Sequence, residues 1–332
     1  MNMTELAKLA GVSVSTVSKA FSGGKDISLK KREEIFALAK KEGCFEKFCK
    51  PNFMNPVIGI ICPEFNSDHY SELLAILQHE IKKQGALTVV GCTEFKNEES
   101  EKLLSYFTEH IKVDGVIMLC TCKSKAKHNI PIVALGGNDN IDSIRLSEEN
   151  AFDEIIKHLK ENGHKSIAFI GESYTMHRLK NFRNSMANNA LDVNEDYIIT
   201  ENDRFEKAGY KGMNKLFLLQ NPPTAVFAAY DNIAIGAMKS IYEHGKKIPE
   251  DISLIGIDNI RKSSFLPVSL SSITDYREDL CQIMVRVLFE RMKDPNAAAH
   301  KSIKITKEFI KRASVGKTTT KQENRLQNCP KT

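Results

Sequence analysis

The chain has 332 residues, 42% of them apolar and 27% charged, which is typical of a globular protein of two or three domains. No apolar run approaches the roughly 18 residues of a membrane span, and the amino terminus lacks the features of a secretory signal. We therefore expect a cytoplasmic protein. The eight cysteines have no CxxC spacing, which favours reduced core thiols over a metal site.

Charge is distributed unevenly along the chain. Residues 1–50 carry 10 basic and 6 acidic side chains, residues 51–300 carry 28 and 34, and residues 301–332 carry 9 and 2. A basic end on an acidic body indicates an anionic partner for the amino-terminal part, because phosphate contacts supply most non-specific DNA affinity. A solvated surface helix is the alternative explanation.

Residues 1–43 predict three short helices. Thr4 is placed to cap the first helix, Gly11 to end it, and Ser13 to cap the second. The tight turn between these two helices is typical of a helix-turn-helix. A third helix is predicted over residues 28–43, and it would close a small all-α head.

The second helix of this head begins with small hydroxyl side chains and one lysine, which suit entry into the DNA major groove. The predicted apolar core of the head consists of Leu6, Leu9, Ala10, Val12, Val17 and Phe21. The predicted DNA-contact residues are Thr4, Ser13, Val14, Ser15, Thr16, Ser18, Lys19 and Lys25. Spacing alone leaves a plain helical hairpin as the alternative.

Residues 44–56 have no clear period and contain two prolines, which predicts a linker. From Val57 onward, apolar strand-like runs such as VIGIIC and KSIAFIG alternate with amphipathic helices, a pattern typical of parallel sheets covered on both faces. Residues 57–315 are predicted to form two doubly wound lobes, divided near residues 145–165. Ligands of such folds bind at the carboxyl ends of the strands, here in an interlobe cleft. Residues 316–332 are predicted to be a disordered basic tail.

A series of short sequence motifs is spread along residues 3–315. They are LAKLAGVSVSTVSKAF, VDGVIML, IPIVAL, GHKSIAFIG, PPTAVFAAYDNIAIGAM, IPEDISLIGIDNI and KEFIKRAS. Together they resemble the LacI/GalR family of bacterial transcription regulators. The resemblance implies a periplasmic-binding-protein-like core that senses a small molecule, often a sugar or nucleobase, and a homodimer that binds a double-stranded DNA operator of two half-sites. Family position and apolar stripes suggest residues 70–80 and 280–292 for the dimer face, with packing inside one lobe as the alternative.

The resemblance also carries residue roles. Val14 and Ser15 match base-reading positions, and Arg178, Asp258 and Phe205 match effector-binding positions. Asp231, which lies just after a predicted strand end, and Tyr70, after the first core strand, complete the predicted effector-binding set. An arginine fork facing a carboxylate across a cleft can bind hydroxyl, carboxylate or amide groups through charge-assisted hydrogen bonds, and an aromatic ring can cover a sugar or base. The alternatives are that Arg178 pairs with a surface acid, Asp231 caps the following helix and Phe205 belongs to the core.

The sequence departs from the family pattern at two places. The linker lacks the family's hinge-helix pattern, and Pro51 would disrupt such a helix. Ser67 to Tyr70 and the pair Gly136 and Gly137 replace the usual polar and aromatic residues of the amino-terminal half of the pocket, so a usual sugar is not assumed.

Other classes of function are alternatives to a regulator that senses a small molecule. No P-loop, GxSxG or HExxH motif occurs and no dinucleotide fingerprint is present, so we expect no catalysis, no cofactor and no metal. A regulator whose core responds to a protein partner, or has lost its ligand, is one alternative. A solute-binding protein is a minor one, disfavoured by the attached basic head.

Overall fold

The computed structural model describes residues 1–22, 27–48, 55–122, 129–136, 140–295, 297 and 299–318. The α-helices are α1 (Met3–Ala10), α2 (Val14–Ser22), α3 (Leu29–Lys41), α4 (Phe45–Phe48), α5 (Asp68–Lys83), α6 (Asn97–Ser105), α7 (Glu149–Glu161), α8 (Met176–Asn188), α9 (Phe205–Phe217), α10 (Asp231–Glu243) and α11 (Arg277–Lys293). The strands are β1 (Val57–Cys62), β2 (Leu87–Cys92), β3 (Gly115–Met118), β4 (Ile132–Leu135), β5 (Asp142–Ser147), β6 (Ile167–Glu172), β7 (Ile198–Glu201), β8 (Ala225–Ala228), β9 (Ser253–Ile255), β10 (Ser272–Thr274), β11 (Ser302–Thr306) and β12 (Glu308–Ile310).

The first helix of the head begins two residues earlier than a cap at Thr4 predicts. Asn2 caps it: the Asn2 side chain accepts a hydrogen bond from the Glu5 N–H at 2.9 Å, and the Glu5 carboxylate accepts one from the Asn2 N–H at 2.7 Å. The prediction that Thr4 is the cap is therefore wrong, because Thr4 already lies inside the first turn. Its side chain is exposed on the head.

The helix-turn-helix itself is confirmed. Gly11 ends α1 with φ 63°, a left-handed conformation that glycine adopts without strain, and Ser13 Oγ accepts from the Thr16 N–H at 3.1 Å to cap α2. Three helices close over a small buried core of Leu6, Ala7, Val17, Ala20, Phe21, Ile35 and Ala39. Leu9 was predicted to join this core, but it is 56% exposed, because it lies roughly 160° around α1 from the buried Ala7.

The head continues past the predicted boundary at residue 43. The rings of Phe45 and Phe48 lie 5.8 Å from that of Phe21, and the ring of Phe45 lies 5.2 Å from that of Phe36. Residues 44–48 therefore pack with the head, because the apolar spacing of α4 lets both rings cover the same core. The rest of the predicted linker through residue 54, with Pro51, lies outside the described residues, as does Lys25.

The amino-terminal lobe is built on a six-stranded parallel sheet in the order β11-β5-β4-β3-β1-β2. Helices α5 and α11 pack together on one face, where Leu73, Leu77, Leu280, Met284 and Leu288 are fully buried. Leu104 and Phe107 cover the other face, from α6 and from the π-helical turn Tyr106–Ile111 that continues it. The apolar stripes that suggested a dimer face thus line the core of this lobe.

The carboxy-terminal lobe has a four-stranded parallel sheet in the order β7-β6-β8-β9, with a separate antiparallel pair formed by β10 and β12. Its α9 and α10 pack unusually closely, because each presents a glycine to the other helix. A Cβ atom on Gly209 would lie 1.8 Å from the Ile233 carbonyl oxygen, and one on Gly236 would lie 1.8 Å from that of Glu206. This contact places the first turns of α9 and α10 side by side.

The chain passes between the lobes three times. The crossings join β5 to α7, β10 to α11, and β11 to β12, so neither lobe is one continuous segment. The predicted division near residues 145–165 contains only the first crossing, at Glu148. The core also extends past residue 315: the Gly316 N–H donates to Ser253 Oγ at 3.1 Å and the Thr318 N–H donates to the Asn162 carbonyl at 2.9 Å. Residues 319–332 of the predicted tail lie outside the described residues.

Candidate functional site

The outer face of α2 is a row of small polar side chains. Val17 and Ala20 point into the head core, which leaves Val14, Ser15 and Lys19 exposed. Ser18 is also exposed and Thr16 is half-buried. The Ser13 hydroxyl lies 2.8 Å from the hydroxyls of both Ser15 and Thr16, so three hydroxyl groups cluster at the helix start. Such a surface can approach base edges closely because it carries no bulky side chain.

A cleft of about 570 Å³ separates the two lobes. Its walls are the segments that follow the carboxyl ends of β1, β2, β6, β7, β8 and β9, together with the starts of the adjoining helices. The lining residues are Glu64, Ser67, His69, Tyr70, Phe95, Glu172, Tyr174, Thr175, His177, Arg178, Arg204, Phe205, Tyr230, Asn232 and Asp258. This is the position expected for a ligand in parallel α/β folds.

Arg178 and Asp258 meet inside this cleft. The Arg178 guanidinium donates to Asp258 Oδ1 at 2.8 Å and to the Ala229 carbonyl at 2.6 Å, while its Nε has no partner among the described residues. Burial acts to raise the pKa of the Asp258 carboxyl, but the surrounding positive charges, that of Arg178 first among them, and the Arg178 hydrogen bond together hold this pKa well below its usual range. Asp258 has φ 96°, a conformation uncommon for a residue with a side chain and often found at functional sites.

A second charged group, centred on Arg204, lies elsewhere in the cleft lining. Arg204 donates to both Glu64 carboxylate oxygens, at 2.5 and 3.2 Å, and this ion pair joins the two lobes. It also donates to Glu172 at 3.2 Å. Its guanidinium carbon lies 5.4 Å from the Phe95 ring centroid and 5.1 Å from that of Tyr174, and these rings stack on one another at 4.5 Å. The closed arrangement of the lobes is thus held by an arginine placed among carboxylates and aromatic rings.

Two of the other predicted effector residues line the cleft and one does not. Tyr70 and Phe205 both face it, and the Phe205 ring packs edge-on to Tyr230 at 5.9 Å. Asp231 points away into the carboxy-terminal lobe, where it accepts hydrogen bonds from Ser263 and Ser272 at 2.5 and 2.7 Å.

The placement of Asp231 as an effector contact is therefore corrected. The carboxylate also accepts from the Ile260 N–H at 2.9 Å, so its hydrogen bonds fix the loop after β9 rather than a ligand. Burial raises the pKa of this carboxyl to about 7. The next residue, Asn232, faces the cleft instead and donates to Asp68 of the opposite lobe at 2.9 Å.

Charged residues also lie in the crossings between the lobes. Glu148 in the first crossing accepts from Lys307 in the third at 3.1 Å, and both are buried. Burial acts to raise the pKa of Glu148, but the charges of Lys307 and Arg178 and the Lys307 hydrogen bond together lower it below its usual value. Asp275 in the second crossing is 1% exposed, with His69 Nδ1 at 4.0 Å and an Arg277 nitrogen at 3.7 Å. Each of the three crossings between the lobes therefore carries a buried charged side chain.

Sequence reasoning did not single out Glu64, Glu172 or Arg204. Glu172 is the last residue of β6 and Arg204 lies just after β7. A polar residue at the carboxyl end of a buried strand is itself a signal for a ligand-facing position, and applying that rule strand by strand would have found both. Arg204 also precedes Phe205, the aromatic residue that the resemblance identified.

The described part of the chain contains neither a candidate metal site nor a helix that could span a membrane. No three His, Cys, Asp or Glu side chains there come together as a possible metal site. None of the described helices is both long enough and apolar enough to cross a membrane. None of the six described cysteines is in a disulfide, and four of them, Cys44, Cys62, Cys122 and Cys281, are buried.

Two sequence profiles match the chain. Residues 2–43 match "Bacterial regulatory proteins, lacI family" and residues 156–315 match "Periplasmic binding protein-like domain". A head that binds DNA and a two-lobed core with a ligand cleft define a transcription regulator rather than an enzyme. The relatives identify the family further.

The HTH-type transcriptional repressor PurR of Mannheimia succiniciproducens is 26% identical over 330 residues, which cover 94% of this chain and 98% of the relative. A lac repressor dimer bound to operator and the anti-inducer ONPF has the same fold, with a TM-score of 0.71 and 23% identity over 95% of this chain and 99% of that one. A LacI family regulator from Enterococcus faecium with bound ribose has a TM-score of 0.66 and 23% identity over 79% of this chain and 100% of that one. The chain thus combines a LacI-family DNA-binding head with a periplasmic-binding-protein-like core, and these relatives are LacI-family repressors.

Proposed function

We propose that this protein is a cytoplasmic repressor that binds an operator of two half-sites as a homodimer, and that a sugar-like effector in the interlobe cleft changes its DNA affinity. The observation that carries the proposal is the exposed face of α2. Ser15, Ser18 and Lys19 project from a helix whose other side is fixed by the buried head core. A helix held in this way can enter the major groove as a rigid unit.

The cleft supports the effector part of the proposal. Arg178 and Asp258 together present donors and acceptors in a fixed geometry, which suits the hydroxyl groups of a polyol. Tyr70 and Phe205 supply ring faces for the apolar side of a sugar ring. A similar solved structure holds ribose, which is consistent with a sugar-like ligand here.

The three crossings supply a route from ligand to DNA. A ligand that contacts both walls of the cleft favours whichever lobe arrangement it fits, and it shifts the population toward that arrangement. In a dimer, a change in the position of the amino-terminal lobes changes the spacing between the two heads. Operator affinity changes with it, because the half-sites have fixed spacing.

DNA binding is tested by selecting sequences from a random duplex library with the full chain and measuring affinity for the selected site by fluorescence anisotropy. We expect a paired half-site motif and a loss of roughly a thousand-fold or more in affinity between about 50 and 200 mM salt. Lys19→Ala is expected to weaken binding, and Lys157→Ala, an exposed lysine on α7, is the matched control. A flat salt response, or equal affinities for the two variants, would refute the proposal.

Effector control is tested with Arg178→Lys, which keeps the charge of the buried pair but loses the fork geometry. We expect normal operator binding with a reduced response to sugars that shift the wild type. Sedimentation of the complex with a two-half-site duplex should show two chains per DNA. Intact DNA binding with no sugar response in the wild type would favour the alternative in which the core responds to a protein partner.

A further inference from the structure

Glu172 lines the cleft and has one carboxylate oxygen without a hydrogen-bond partner among the described residues. The side chain is 1% exposed, and its Oε1 accepts from Arg204 Nε at 3.2 Å and from the Tyr230 hydroxyl at 3.1 Å. Its Oε2 is buried and has no hydrogen-bond partner among the described residues. A buried acceptor without a donor costs roughly 1–3 kcal/mol, so this position is suited to a group that brings a donor.

The charge of the cleft lining indicates which kind of donor fits. Three acidic side chains, Glu64, Glu172 and Asp258, face it together with only two guanidinium groups, those of Arg178 and Arg204. Burial lowers the pKa of both lining histidines, His69 and His177, so neither adds positive charge at neutral pH. The described lining therefore carries an excess of one negative charge. A ligand with one positive charge would neutralise it, and an anionic ligand would add to the repulsion.

A second unpartnered atom indicates what the rest of the ligand carries. Arg178 Nε is buried without a partner among the described residues, so it can donate to a ligand oxygen such as a hydroxyl. The Tyr70 and Phe205 rings also line the cleft and supply apolar faces. A ligand that satisfies both open atoms is a hydroxylated ring with a donor-only cation on one side.

We propose that the effector is a polyhydroxylated ring compound bearing an ammonium group, in the chemical class of amino sugars, and that Glu172 binds the ammonium. This inference rests on the proposed effector function of the cleft and specifies its ligand. An ammonium group has three donors and no acceptor, which matches the need of Glu172 Oε2. A charge-assisted hydrogen bond of this kind corresponds to about ten-fold tighter binding than that of the neutral analogue.

The test is isothermal titration calorimetry of the full chain with ring-matched series based on glucose, galactose and mannose. Each series contains the neutral sugar, the 2-amino sugar, its N-acetyl derivative, the uronate and the 6-phosphate. We expect the amino sugar to bind about ten-fold tighter than the neutral and N-acetyl members in at least one series, and the anionic members to bind most weakly. Binding led by a uronate or phosphate, or no binding in any series, would overturn the proposal.

Glu172→Gln supplies the residue-level test, because glutamine keeps an acceptor for Arg204 and Tyr230 but removes the negative charge. We expect the preference for the amino sugar over the neutral sugar to fall to about one. Glu195→Gln, at an exposed glutamate paired with Arg183, is the matched control and should keep the preference. An unchanged preference in Glu172→Gln would also overturn the proposal. Operator binding is measured on the same samples, so a repressor that responds to a uronate refutes this inference alone, whereas absent DNA binding refutes the proposed function.

Discussion

The glycine contact between α9 and α10 allows a sharp test of how the cleft is built. Gly209→Ala adds a methyl group 1.8 Å from the Ile233 carbonyl oxygen, whereas ordinary contacts of this kind are near 3.4 Å. The neighbour is main chain of a packed helix, so the two helices must separate by more than 1 Å. Overpacking of this kind costs about 1–3 kcal/mol or more, partly offset by about 1 kcal/mol from the higher helix propensity of alanine.

Gly212→Ala is the matched control in the same helix. Its new methyl group would lie 2.7 Å from Ile170 Cγ2 and 3.3 Å from Ile199 Cγ2. Both neighbours are side-chain methyl groups that can shift, so we expect a stability change within about 1 kcal/mol. Gly209→Ala should lose about 2 kcal/mol, which corresponds to roughly 4–8 °C in the melting temperature of a unit of this size.

Circular dichroism melts give the stability of each variant, and hydrogen exchange read by mass spectrometry locates the change. Faster exchange is expected over α9 and α10 in Gly209→Ala, with the head unaffected. Effector affinity should fall as well, because Phe205 and Asn232 stand at the first turns of these helices. Equal losses in the two variants would refute the reasoning, since the backbone contact would then not be what distinguishes the two positions.

Three other changes have expected outcomes. Asp231 has a raised pKa of about 7 in the folded state, so the folded chain retains a proton that the unfolded chain releases near pH 4; stability should fall as pH rises from about 4 to 7, and Asp231→Asn should flatten this dependence in urea melts at a series of pH values. A slope unchanged by the substitution would show that Asp231 is ionised throughout. Lys307→Met leaves Glu148 buried without its cation and should cost roughly 3 kcal/mol, while adding Glu148→Gln should recover most of it in a double-mutant cycle; additive losses would mean that the pair is not coupled. Ser13→Ala removes the cap of α2 and should lower the stability of the head by about 1 kcal/mol, and Ser13→Asp should recover it. Hydrogen exchange of the head amides measures this stability. No recovery by aspartate would argue against a capping role.

Sequence patterns predicted the long and strongly apolar elements well. VIGIIC and LTVVGC correspond residue for residue to β1 and β2. An uninterrupted apolar run is what β1 requires, because it is buried on both faces, whereas β2 is an edge strand and is mostly exposed or half-buried. The strand β5 was missed because its sequence, DSIRLS, mixes polar and apolar residues and so lacks an apolar run. β10 to β12 were missed because their pairing joins residues far apart in the chain, which no local pattern records.

The site was predicted in part for a similar reason. Arg178 and Asp258 come from motifs that could be matched along the chain, and the structure brings them to 2.8 Å. Asp231 was singled out because it lies just after a strand end. A side chain at a helix start can turn inward or outward, however, and three nearby donors hold this one inward. The Arg204 and Glu64 pair joins two lobes, and such a contact follows only from the tertiary arrangement.

The threefold passage between the lobes has a consequence for biosynthesis. β5 ends at Ser147, but the strand that covers its open edge begins at Ser302, and α11, which covers one face of the same sheet, begins at Arg277. A nascent chain that has emerged to residue 260 therefore contains all four parallel strands of the second lobe, while the first still exposes an apolar sheet face and an unpaired strand edge. Such surfaces promote aggregation until they are covered. Premature termination of translation in this protein would thus yield an insoluble or chaperone-bound species rather than a repressor that merely lacks effector control.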